Sequence, residues 1–95
     1  MISILIGFRE WQTKATADYP QKDKITVCLE DRENKADVGH MYIDLSFDKE
    51  KIIVPDTPNK FGSVDELADA LGKLVSFDYG KYNGNRYGKS FDKLS

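Results

Sequence analysis

Residues 41–47 read Met-Tyr-Ile-Asp-Leu-Ser-Phe. Met41, Ile43, Leu45 and Phe47 fall on one side, with His40, Tyr42, Asp44 and Ser46 on the other. A period of two is the pleat of a strand. Four apolar side chains on one face demand a covering layer, and a slip of one residue would turn all four to water. Ile25-Thr-Val-Cys-Leu29 repeats the pattern, with Ile25, Val27 and Leu29 inward. The spacing predicts strands at 25–29 and 38–47, joined by the charged connection Glu30–Asp37. A third, Lys51-Ile-Ile-Val54, follows the tight turn Asp48-Lys49-Glu50. These form an antiparallel meander with one packed face. Pro55 and Pro58 end the sheet region, since proline cannot donate to a ladder. Ile2–Ile6 reads as a further, buried strand.

The covering layer is predicted at Ser63–Val75. Ser63-Val64-Asp65-Glu66 has the spacing of a capping box. Val64, Leu67, Ala68, Leu71, Leu74 and Val75 then make one apolar helical stripe. Residues 8–17 read two ways. Phe8, Trp11 and Ala15 sit at i, i+3 and i+7 and fit a short helix, while an irregular crossing segment fits equally well; Tyr19-Pro20 ends either. The expected fold is α+β: a three- to four-stranded antiparallel sheet with one helix packed on one face. Residues 1–76 form this body, and residues 77–95 form a C-terminal hairpin or tail.

That C-terminal segment is compositionally distinct. Residues 77–91 hold five of the eleven aromatics, three of the seven glycines and three basic residues. Asn83-Gly84 is the strongest short hairpin signal, because a type I′ turn needs positive φ at both positions. That loop sets Tyr82 opposite Asn85, Lys81 opposite Arg86, Gly80 opposite Tyr87, Tyr79 opposite Gly88 and Asp78 opposite Lys89. Tyrosines then cover cross-strand glycines, a stabilising device, while the facing pair Lys81 and Arg86 is unfavourable unless an anion lies between them. The competing reading is a frayed terminus.

The chemistry of common enzymes finds little footing. His40 is the sole histidine and has no neighbour at metal-binding spacing. Cys28, the sole cysteine, sits beside Val27, Leu29 and Glu30, which gives a thiolate no support; a single cysteine fits a reducing compartment or indifference to redox state. Glu30, Asp31, Glu33 and Asp37 cluster, but Lys35 and Ala36 stand where a calcium loop needs a ligand and a glycine. Gly62-Ser63 precedes a helix, but Asp65 and Glu66 would repel a phosphate. No metal, cofactor or catalytic residue is expected.

Strand 52–54, Pro55-Asp-Thr-Pro58 and the helix from Ser63 to Leu71 resemble, in order, a segment of the HicB antitoxins, which place Pro-Asp-x-Pro-Gly between a strand and a Glu-Ala-rich helix. Asn59 stands where that family has glycine, and the likeness spans residues 52–71 alone. No family is assigned on it.

The net charge of −2 conceals a split. Residues 1–75 carry ten Lys/Arg and fourteen Asp/Glu, whereas residues 76–95 carry four and two. Neither bias suits a duplex-binding protein or a DNA mimic. The opening apolar run is too short for a membrane span and has no basic residue before it, so the expectation is a cytoplasmic protein without membrane partners. The function expected is non-enzymatic protein binding, as a small inhibitor or adaptor of the kind phages and mobile elements encode. Its contact residues are read as Tyr79, Lys81, Tyr82, Arg86, Tyr87 and Lys89 on the hairpin, with Glu30, Asp31, Glu33 and Asp37 on the charged loop. The alternative is a single-stranded nucleic-acid binder using the hairpin's aromatic and basic residues. An open sheet edge or the Tyr-rich hairpin would also let two copies pair.

Overall fold

The computed structural model describes residues 1–31 and 41–94, with Asp31 and Met41 described by backbone alone. Five strands form one antiparallel sheet: β1 (Ile2–Gln12), β2 (Asp23–Asp31), β3 (Met41–Asp48), β4 (Leu74–Tyr82) and β5 (Asn85–Lys93). Their spatial order is β3-β2-β1-β4-β5. Two short helices, α1 (Lys49–Ile52) and α2 (Val64–Asp69), lie in the crossing from β3 to β4. The α+β class is as expected, with more strand and less helix than the sequence patterns suggested.

The alternating faces are where the pattern put them. Val27 pairs with Leu45, Ile25 with Phe47 and Leu29 with Ile43, and all six are buried. Leu5, Val75, Phe77 and Phe91 extend this core across β1, β4 and β5, and Ile52, Phe61, Leu67 and Ala70 close it from the crossing segment. On the other side of β1–β3, Trp11 Nε1 donates to Thr26 Oγ1, which lies 2.8 Å from Ser46 Oγ. That polar ladder answers the ambiguity at 8–17: β1 runs on to Gln12, with Trp11 opposite Lys24 and Phe8 opposite Val27. Phe8 packs on the core, and a helix would have broken that pairing.

Two further expectations are corrected. Lys51–Val54 is not the third meander strand. One turn of α1 buries Ile52, and only Ile53 makes a bridge, parallel to Phe61. The chain here crosses the core's open end, and Pro55 together with positive φ at Asp56 and Asn59 prevents extended pairing beyond it. The helix expected to reach Val75 ends at Asp69. Gly72 adopts φ +81°, the left-handed geometry that terminates helices. Its N–H donates to the Leu5 carbonyl at 2.8 Å, and Leu5 N–H donates to the Lys73 carbonyl at 3.0 Å. Leu74 and Val75 therefore belong to β4, and Leu71 and Leu74 are exposed. The cap itself forms: Ser63 Oγ accepts from Glu66 N–H, while the Glu66 carboxylate accepts from Gly62 N–H at 2.6 Å. That bond and nearby Lys93 hold the Glu66 carboxyl below its ordinary range.

Candidate functional site

The hairpin takes the register that Asn83-Gly84 implies. Asn83 and Gly84 have φ of +51° and +80°, and Tyr82↔Asn85, Lys81↔Arg86, Gly80↔Tyr87 and Tyr79↔Gly88 are paired. Three of its six candidate binding residues, Tyr79, Arg86 and Tyr87, already have work within the protein. Tyr87 lies so close over Gly80 that any β-carbon there would collide with its ring. Tyr79 stacks on Phe77 with ring centroids 6.3 Å apart, and the Arg86 guanidinium sits 5.9 Å from the Tyr79 ring. Arg86 thus has an aromatic partner despite facing Lys81. Gly88 faces Tyr79 across the strands, and the atoms nearest to a β-carbon placed there belong to Phe47, reaching over from β3. Tyr82, 72% exposed, is left at the tip beside exposed Lys81.

Beyond Tyr79 the register departs from expectation. Asp78 pairs with Ser90, not Lys89, because a bulge inserts Lys89 between the Tyr79↔Gly88 and Asp78↔Ser90 pairs. Asp78 Oδ1 instead accepts from Tyr79 N–H at 2.9 Å. Freed from the ladder, Lys89 lines a cleft between β5 and β3, in keeping with the way bulges redirect side chains.

The charged loop supplies less. Glu33 and Asp37 lie outside the described residues, as does His40, and of Asp31 only the backbone is described. Glu30 is 6% exposed, and its carbonyl accepts from Ser3 Oγ. Its side chain is therefore not the solvent-facing contact the sequence suggested.

Cys28 lies opposite Asp44 on β3. Burial, helped by a hydrogen bond to Asp44 and that group's negative charge, pushes the thiol up to about 11. It stays protonated at neutral pH, where only a thiolate would be nucleophilic. Among the described residues, no three His, Cys, Asp or Glu side chains gather in a way that could hold a metal ion, and no helix is long and apolar enough to cross a membrane.

One surface escaped sequence reasoning. The run Ile2–Ile6 is not buried throughout. Ser3 and Leu5 face the core, while Ile2 is 56% and Ile6 46% exposed, with Ile4 half-buried between them. Ile4 pairs with Leu74, itself 45% exposed. Ile6 is the extra residue of a second bulge, between the Leu5↔Leu29 and Gly7↔Cys28 pairs. The result is an apolar stripe on the outer face of β1 and β4. A nearly continuous apolar run has no period to show which side is inward, and its one polar residue, Ser3, sits on the core side, where a polar residue is not expected.

No family model matches the chain, and neither a curated protein nor a solved structure shows significant similarity to it.

Proposed function

We propose that this is a small, non-enzymatic protein-binding module that occupies a surface of another protein, as an inhibitor or adaptor. The observation that supports it most is the outer stripe of Ile2, Ile4, Ile6 and Leu74. The core face already takes Leu5 and Val75 from the same strands, so these side chains contribute little to packing. Contiguous exposed apolar groups mark interaction surfaces, and Tyr82 at the hairpin tip offers an aromatic anchor of the type interfaces favour. The nucleic-acid alternative has weaker support. Base stacking calls for successive free aromatic faces, yet Tyr79 is held by Phe77 and Arg86, and Tyr87 by Gly80.

The test is capture of a partner from the protein's own cells by the intact chain and by an Ile2→Asp, Ile6→Asp, Leu74→Asp variant of matched melting temperature. The expected result is a specific partner retained by the parent and lost by the variant. Equal capture by both would sink the role of the stripe. A salt-sensitive shift of labelled oligothymidylate, with no protein captured, would turn the reading toward nucleic acid.

A further inference from the structure

The sheet curls until its two edge strands, β3 and β5, face each other without pairing. Side chains bridge the seam instead. Phe47 of β3 and Phe91 of β5 have ring centroids 5.9 Å apart, and the Phe47 ring rests on the bare backbone of Gly88. Above this aromatic floor lies an open cleft of about 380 Å³.

Backbone geometry shows which way the β5 edge points. Phe77 exchanges both its backbone hydrogen bonds with Met1 on the β1 side: Phe77 N–H donates to the Met1 carbonyl at 2.8 Å, and the Met1 amino group donates to the Phe77 carbonyl at 2.9 Å. Phe91, opposite Phe77, therefore turns its own N–H and C=O outward, away from β4. The loop before α2 covers part of this edge. Asn59 accepts from Lys93 N–H at 2.7 Å, and Lys60 Nζ donates to the Phe91 carbonyl. Residues 88–90 line the cleft.

The rim is basic. Lys24, Lys51, Lys60 and Lys89 line the cleft with Asp48 as its single acid. Lys24 binds Asp48 at 2.8 Å, and Lys60 binds Asp92 outside the cleft at 2.6 Å. No ion pair among the described residues engages Lys51 or Lys89. Lysines on an edge commonly keep other strands away. That repulsion discriminates by charge: a neutral or basic strand gains nothing at this rim, whereas an acidic strand meets Lys89, which no ion pair among the described residues engages, and Lys51, whose charge acts on Asp48 only from beyond ion-pair distance.

We infer that the cleft between β3 and β5 receives an extended acidic peptide segment of a partner protein, which adds to the uncovered stretch of the β5 edge around Gly88 and Lys89 while its carboxylates meet Lys51 and Lys89. This is β-strand addition, with main-chain bonds giving affinity and side chains giving selectivity. It rests on the protein-binding reading but uses a different surface from the isoleucine stripe.

The probe is an acetylated, amidated octapeptide, Glu-Thr-Glu-Val-Glu-Thr-Glu-Val, titrated into the ¹⁵N-labelled intact chain. Amide shifts are expected to concentrate at residues 46–48 and 88–91, with affinity falling as salt rises. Replacing its Glu with Gln, or its Thr with Pro to remove backbone donors, should each weaken binding about tenfold. A Lys51→Glu, Lys89→Glu variant should do the same at unchanged melting temperature; should it fail to fold, Lys51→Gln with Lys89→Gln replaces it. The inference is overturned if shifts are absent or fall elsewhere, if the Gln peptide binds equally well, or if oligothymidylate produces the same shifts at lower concentration than the peptide does. Loss of peptide binding alongside partner capture that still depends on the outer stripe would remove the cleft and leave the broader reading standing.

Discussion

The hairpin of β4 and β5 uses aromatic residues in two ways along one pair of strands. At its base, Phe77 and Phe91 are buried opposite each other, and Phe91 stacks on Phe61 with ring centroids 5.7 Å apart. At its tip, Tyr82 stands in solvent. The difference follows from how far β1 reaches. The β1–β4 ladder covers only Ile2–Ile4 against Leu74–Ser76, and Met1 adds the bonds to Phe77. Past that point β4 has β5 as its only neighbour in the sheet. An aromatic side chain becomes core where a third strand and a covering segment meet the hairpin; beyond them it must rely on a glycine, a cation or a partner.

The contrast can be tested in order of expected effect. Phe91→Ala at the base should cost about 3–5 kcal/mol, since it empties a site between Phe47, Phe61 and Phe77; chemical denaturation would measure it, and a loss below about 1 kcal/mol would mean the base is not core. Gly88→Val lies between base and tip. Its β-carbon would enter the Phe47 ring, so a loss of about 1–3 kcal/mol is expected. A matching change in the Phe47 ring-proton shifts would show that the seam had opened. Gly84→Ala at the turn forces a side chain into φ +80° and should cost about 1 kcal/mol, read as a lower melting temperature with an unchanged core spectrum. Tyr82→Ser should move stability by less than about 0.5 kcal/mol. If it lowers stability more, the tip is structural and its candidacy as an anchor falls.

The same contrast explains what the sequence made legible. The faces of β2 and β3 could be read because a strict period of two admits one assignment, and the tip because Asn83-Gly84 permits few backbone geometries. The helix at 63–75 was overestimated because Leu74 and Val75 fit a helical stripe as well as a strand. Only the pairing of Gly72 and Lys73 with Leu5 decides between them. Lys51–Val54 misled for a related reason: β-branched residues suggest a strand, but the chain makes a helical turn over Lys49–Ile52 that buries Ile52, and only Ile53 makes a bridge. The two bulges carried no local signal, and they place Ile6 and Lys89. The unexpected parts of both proposed surfaces therefore depend on register, which arises from the packing of distant strands.

β1 lies at the centre of the sheet, yet its two neighbours come from opposite ends of the chain: β2 follows after a short connection, whereas β4 begins at Leu74. Contacts between residues so distant along the chain form slowly, because loop closure precedes any gain from pairing. The topology predicts that the β1–β3 meander assembles first from local contacts, which would leave one side of β1 unbonded and Leu5, Val27 and Leu45 uncovered until Val75, Phe77 and Phe91 arrive. During that interval the edge of β1 is the place where a second unfinished chain would add, so crowding during synthesis should limit the yield of this protein more than the stability of its finished fold.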